Sequence, residues 1–158
     1  MSDVPVTAWQ QPEIIRHTQR VLDSFRHWTG RELLPRSGTP AEQARALFEA
    51  PLVVLSDGTE ADPILNYGNA AALSLWEMTW EQFTRTPSLR TAEPARQPGR
   101  ARALADVTRK GYVSDYTGVR IASTGRRFKI QDATVWIVLD ERGTIIGKAA
   151  TFAAWTYL

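Results

Sequence analysis

The sequence predicts an α+β fold: a five-stranded antiparallel sheet with helices inserted after the second strand, preceded by an N-terminal helical extension. Three observations carry this reading. Two helix patterns with clear stop signals occupy the first fifty residues. Two short apolar runs then lead into short, well-capped helices. The last third is a β-rich meander, broken at Ser123-Thr124-Gly125 and at Asp140-Glu141-Arg142-Gly143. Residues 1–50 are accordingly read as the extension and 51–158 as the sheet-bearing domain.

Residues 12–29 place Ile14, Ile15, Thr18, Val21, Leu22, Phe25 and Trp28 at helical spacing, with Arg16, Gln19, Arg20, Asp23 and Arg26 opposite. Pro12 suits the first turn and Gly30 the stop. Residues 31–38 form a connector. Thr39-Pro40-Ala41-Glu42 fits a capping box with proline at the first helical position, and Ala50-Pro51 ends that helix, because proline disfavours the helical state in the residue before it. Leu52–Leu55 is a short strand, followed by a turn at Asp57-Gly58. Ile64–Tyr67 is the next strand. Asn69 caps a helix over Ala70–Trp76. Thr79-Trp80-Glu81-Gln82 is a second capping box, with Met78 and Phe83 placed for a hydrophobic staple. Residues 84–98, with Pro87, Pro94 and Pro98, are irregular. Gly99–Lys110 is a helix with Ala101, Leu104, Ala105 and Thr108 inward, stopped by Gly111. Tyr112–Ala122, Arg126–Leu139 (bulged near Asp132) and Thr144–Tyr157 complete the meander.

Composition narrows the function. With 158 residues and 43% apolar content the chain suits one domain with an ordinary core. It has no cysteine, so disulfides, zinc–thiolate sites and thiol nucleophiles are excluded. No run of about 18 apolar residues predicts a membrane span, and Met1–Pro5 lacks a secretory pattern. A cytoplasmic protein is expected. Sixteen of the 19 basic residues are arginine, yet the net charge is only +2. Arg90, Arg96, Arg100, Arg102, Arg109 and Lys110 lie close in sequence, but without the aromatic platform that single-stranded nucleic acid needs. Neither nucleic acid nor membrane is expected as a partner.

Several segments carry a resemblance. The run Asn66-Tyr67-Gly68-Asn69-Ala70-Ala71-Ala72-Leu73 resembles the strand–turn–helix of PAS-type sensor domains. The element order is also theirs. More closely, the chain resembles stand-alone bacterial proteins of the MEKHLA domain, a PAS-related family. The match runs through Ile64–Asn69, Leu75–Trp80, Thr91-Ala92-Glu93-Pro94, Gly118-Val119-Arg120-Ile121, Gly125–Ile130 and Gly147–Phe152, and covers roughly residues 10–158. The resemblance implies a regulatory module with a small-molecule ligand whose identity it does not give. The same domain ends plant homeodomain–leucine-zipper factors, but nothing here resembles a homeodomain, a zipper or a lipid-binding START domain. Lacking an output domain of its own, the chain would signal by contact with another protein.

Cofactor chemistry is constrained next. A light-driven flavin adduct needs a cysteine, which is absent. Haem sensors usually supply histidine, and His17 and His27 both fall on the first helix, where they read as surface residues. Non-covalent flavin, or haem held by Tyr67, Tyr112 or Tyr116, has no positive support, so the cofactor stays unassigned. No Ser/His/Asp set and no metal-ligand spacing is readable. Of the carboxylates considered as acids or bases, Glu77 reads as a helix-end residue and Asp115 as a strand-surface one. Glu93 is expected to pair with Arg96 or Arg100, offsetting positive charge at a helix start. No catalysis is expected.

The candidate ligand pocket is lined by Asn66, Trp76, Tyr116, Arg120, Phe128, Trp136 and Phe152. By period-two counting Phe128, Ile130, Asp132, Thr134, Trp136 and Val138 share a face, unless a bulge near Asp132 swaps the faces. A homodimer through the first helix's apolar stripe is expected, unless that stripe packs on the protein's own sheet. Two alternatives remain open: a cone-shaped α+β-barrel enzyme with Asp132 buried inside, and a ligand-free dimerisation module with a filled core.

Overall fold

The structure is a computed structural model that describes residues 7–92 and 97–158. Helix α1 spans Pro12–Thr29 and ends at Gly30 in the left-handed conformation. Helix α2, Pro40–Glu49, carries the full capping box: Glu42 N donates to Thr39 Oγ1 and Thr39 N to Glu42 Oε1. Strands β1 (Val53–Asp57) and β2 (Leu65–Gly68) follow, then α3 (Ala70–Trp76) and α4 (Trp80–Phe83), the latter with its own capping box. A single 3-10 turn, Ser88–Thr91, interrupts the irregular stretch. Helix α5 covers Gln97–Lys110. The meander is β3 (Tyr112–Ile121), β4 (Arg127–Leu139), β5 (Ile145–Phe152) and β6 (Ala154–Tyr157).

The strands form one antiparallel sheet in the order β2-β1-β5-β4-β3. The predicted last strand is broken at Ala153: β5 pairs with β1 and the second half of β4, while β6 pairs with the first half of β4. β1 therefore runs inside the sheet, between β2 and β5. Such pairing is what the PAS-like reading requires and the cone-shaped barrel does not have.

Each face of the sheet buries its own core. On one face Trp76 meets Phe83, Phe128 and Phe152 edge-on, at centroid distances of 6.0, 5.1 and 6.2 Å, the geometry that aromatic quadrupoles favour. The other face is covered by α1, whose Val21, Leu22 and Phe25 pack on Trp136, Val138 and Ala149. The apolar stripe of α1 is thus consumed by the protein's own sheet, which removes the surface expected for a dimer. Two polar anchors fix the docking: Trp28 Nε1 donates to Ile137 O at 2.8 Å, and Trp136 Nε1 donates to Val21 O at 3.2 Å.

Helix α5 is rotated from expectation. Val107 is its fully buried residue and Leu104 is half-buried, whereas Ala101, Ala105 and Thr108 face solvent. Alanine and threonine gain little by burial compared with a larger side chain, so Val107 and Leu104 set the rotation.

Asn69 ties these parts together. It is fully buried and uses all four of its side-chain hydrogen-bonding positions. Its Oδ1 accepts from Val54 N and Ala72 N, at 3.0 and 3.1 Å. Its Nδ2 donates to Leu47 O and Leu52 O, at 3.1 and 2.8 Å. Asn69→Ala strands two donors and two acceptors, and should cost roughly 3 kcal/mol or more. Asn69→Asp should also be destabilising, because a carboxylate oxygen would face two carbonyls. Urea unfolding of the three proteins checks this; an Asn69→Asp variant as stable as the parent would contradict the assignment.

Candidate functional site

A cavity lies between the inner sheet face, α3, α5 and the 3-10 turn. Strand alternation builds its apolar floor: Leu55 from β1, Leu65 from β2, Ile130 and Ala133 from β4, and Phe152 from β5, with Trp76 of α3 against them. Its polar end is formed by Asp57, Ser88, Arg100, Tyr116, Arg120 and Lys148. About 60 Å³ is open to the centres of water-sized molecules, room for about four to six waters at roughly 10–15 Å³ each.

Asp57 is buried and its oxygens are committed. Ser88 Oγ donates to Oδ2 at 2.7 Å and Lys148 N to Oδ1 at 3.2 Å. Burial pushes its carboxyl above the usual range, and Ser88, Lys148 and Arg100 pull the other way. Gly147 is what lets the strands close here: a Cβ at that position would stand 1.8 Å from Asp57 O. Arg120, 9% exposed, donates from Nη1 to Val119 O at 2.9 Å and from Nη2 to Tyr116 Oη at 3.1 Å. Its guanidinium also lies over the Tyr116 ring, 5.5 Å from the centroid. Gly118 between them permits this, since a Cβ there would be 2.7 Å from Tyr116 Oη. Arg100, in the first turn of α5, has its pKa lowered by burial and then by Arg120. Arg100, Tyr116 and Arg120 also line an open groove outside the cavity, so they stand at its wall.

Of the sequence candidates, Trp76, Tyr116, Arg120 and Phe152 line this one cavity. Phe128 sits behind Trp76 in the aromatic core. Two candidates lie on the opposite face and are corrected. Asp132 has φ 53° and forms the bulge in β4, so the alternation shifts after it: Ala133 and Val135 take the cavity side and Trp136 turns to α1. Asn66 lies beside Ser56 on the α1 side, because its neighbour Leu65 lines the cavity. Asp132 is exposed, which removes the barrel enzyme's buried acid. Glu93 and Arg96 lie outside the described residues; Arg100 is half-buried at the cavity. Asp57, Ser88 and Lys148 were missed. Counting by twos along Val53-Leu55-Asp57 and Lys148-Ala150-Phe152 would have placed two of them; Asp57 was instead absorbed into an Asp-Gly turn.

On the α1 side, His17 is not the surface residue expected, while His27 is exposed. His17 Nε2 lies 2.8 Å from Ser56 Oγ, and that hydroxyl donates to Asn66 Oδ1, so the imidazole must be the donor to serine. Burial, then Arg20, lowers its pKa to about 4. The buried Tyr67 hydroxyl nearby has no hydrogen-bond partner among the described residues, and burial raises its pKa. Among the described residues no cluster of His, Asp or Glu could hold a metal ion, and no helix is long and apolar enough to cross a membrane.

The family model of the MEKHLA domain matches residues 15–157. Homeobox-leucine zipper protein ATHB-9 of Arabidopsis thaliana is 25% identical over 100 residues, 63% of this chain and 12% of the plant protein. Homeobox-leucine zipper protein HOX10 of Oryza sativa subsp. japonica is 24% identical over 151 residues, 93% of this chain and 18% of its own length. The chain thus spans less than a fifth of either relative. Among solved structures, a PAS domain from Colwellia psychrerythraea superposes with a TM-score of 0.62 at 12% identity, over 74% of this chain and 94% of that one. An RNA-binding light-oxygen-voltage receptor gives 0.62 at 17% identity, over 75% and 34%. A light-oxygen-voltage domain studied with a flavin analogue gives 0.58 at 13%, over 74% and 84%. These likenesses show a PAS-like fold. The cavity itself does not fit a flavin: a three-ring system exceeds a space of a few waters, and no cysteine is available for an adduct.

The His17 environment makes a pH prediction. Its folded pKa lies below the ordinary 6.5, so its contribution is intact above pH 6.5 and is lost as pH falls towards 4. The loss should reach about 3 kcal/mol at most. Asp57, with its raised pKa, acts in the opposite sense, so the comparison must be with a variant that keeps it. His17→Gln should flatten the decline in unfolding free energy between pH 7 and pH 4.5. Identical slopes for the two proteins would count against a half-buried neutral His17.

Proposed function

The chain belongs to the MEKHLA domain family, and from that premise we propose that it is a PAS-like sensor or regulatory module. In this reading it holds a small molecule in the cavity and acts on a protein partner, without catalysis of its own. The observation that carries the proposal is the cavity: an apolar floor under a wall of convergent polar groups, on the helix-covered face of the sheet. A cytoplasmic location belongs to the same proposal. The homeobox and zipper in the relatives' names are not transferred, since so little of those proteins is matched.

The geometry supports binding over turnover. Asp57 is the buried carboxylate of the site, and both its oxygens are occupied by donors. No histidine lines the cavity to act as its partner in proton transfer.

Native mass spectrometry of freshly purified protein tests the proposal. A bound mass is expected on the parent and absent from Ala150→Leu. The added side chain would occupy cavity space from β5 at a lining position that carries no polar group. Near-UV circular dichroism would verify the variant's fold. Bare protein masses in both samples, at all concentrations of small-molecule extract added back, would favour a ligand-free interaction module. The same spectra report the oligomeric state.

A further inference from the structure

The polar wall has an uneven balance of charge and of hydrogen-bonding capacity. Among the described residues three cations line the cavity, Arg100, Arg120 and Lys148, against the one carboxylate of Asp57. Asp57 is shared between Lys148 and Arg100, and Asp62 also acts on Arg100, so cations outnumber the carboxylate at the cavity by two. Burying like charges together is costly unless a counter-charge joins them. Arg100 also sits in the first turn of α5, where the helix dipole disfavours a cation.

The open hydrogen-bonding positions are donors. Trp76 lines the cavity, and its buried Nε1 has no hydrogen-bond partner among the described residues. Tyr116 Oη accepts from Arg120, which leaves its own hydrogen free to donate. Arg120 uses two of its five N–H groups, and Arg100 makes no side-chain hydrogen bond among the described residues. The acceptors nearby are partly engaged: each Asp57 oxygen already accepts one bond, and the Ser88 and Thr91 hydroxyls spend their hydrogens inside the protein.

We propose that the cavity is a receptor for a small organic carboxylate, its charged end held by Arg100, Arg120 and Tyr116 and its apolar body lying on Trp76 and Phe152. This deepens the ligand-binding reading above and rests on it. A carboxylate is an acceptor-only group whose two oxygens match the guanidinium fork. The apolar floor calls for a hydrocarbon body, and the space limits the whole ligand to about six to nine heavy atoms, on the basis of the few waters it would displace. Because Arg100, Tyr116 and Arg120 also face the outer groove, the same groups meet the anion on entry and close over it.

Thermal shift and isothermal calorimetry on the full chain test this. The probes are straight-chain carboxylates of four to seven carbons and benzoate, each beside its uncharged amide, with inorganic phosphate and sulfate as bare anions. At least one carboxylate should raise the melting temperature while its amide does not. Arg120→Gln should weaken that binding roughly tenfold or more. Arg100→Gln, at the wall and away from the core, provides a second reading should the first variant not fold. Amides that bind as well as the acids would overturn the anion specificity while leaving the ligand site standing. Phosphate or sulfate acting as strongly as the acids would overturn the role of the apolar body. If neither acids nor amides bind, the carboxylate proposal falls; if a retained neutral mass is found on the same protein, the sensor reading survives it.

Discussion

The fold depends on one buried amide. Asn69 closes α2, starts α3 and enters the β1 backbone at the same time, through Leu47 O, Leu52 O, Val54 N and Ala72 N. Its own N–H adds a fifth link, to Val54 O. Three of the four side-chain bonds are buried and the one to Leu52 O is partly so, and each spares a peptide group the desolvation penalty of being left unpaired. The direction of α3 follows from that cap, and with it the position of Trp76, which both fills the aromatic core and lines the cavity. Local helix chemistry and the shape of the site are thus settled by the same residue.

Most of the chain's elements were legible because their signals are local. The two capping boxes, the Asn69 cap, Gly30 and the meander turns each satisfy backbone groups within a few residues, and sequence shows such arrangements directly. Facing was less legible. Alternation predicts a strand's sides only while its register is unbroken. One extra residue at Asp132 moved Trp136 across the sheet, whereas Asn66 lies opposite the cavity simply because its neighbour Leu65 lines it. The sequence did suggest the β4 bulge, but bulges are set by the partner strand as much as by the bulged one. Asp115, also at positive φ, sits opposite in β3, so the distortion belongs to the pair.

The first helix shows a different limit. Its periodicity specified an apolar stripe but not what the stripe covers, and both a second copy and the chain's own sheet would satisfy it. Once α1 lies on the sheet, His17 passes from a surface position to a half-buried ring, held neutral by desolvation, that serves Ser56. Burial is a property of the assembled layers, so no reading of α1 alone could assign that role. The same holds for Arg100. Its place in a run of arginines suggested a solvated surface, whereas the α5 rotation set by Val107 turns it towards the cavity.

A filled core and a ligand site differ in where their empty space lies. The aromatic cluster of Trp76, Phe83, Phe128 and Phe152 leaves no hydrogen-bonding need beyond the buried indole N–H of Trp76. The remaining space is found instead beside the guanidiniums of Arg100 and Arg120, a tyrosine hydroxyl and the Trp76 side chain. Packing alone would favour the reverse arrangement, because hydrophobic residues of similar volume usually replace buried charges without loss of stability. The strands have also been shaped to keep these charges in place: Gly118 makes room for the Tyr116–Arg120 pair and Gly147 for the close approach at Asp57. Such a wall costs stability in the empty protein and returns it when an acceptor arrives, and that difference between the two states is what a sensor requires.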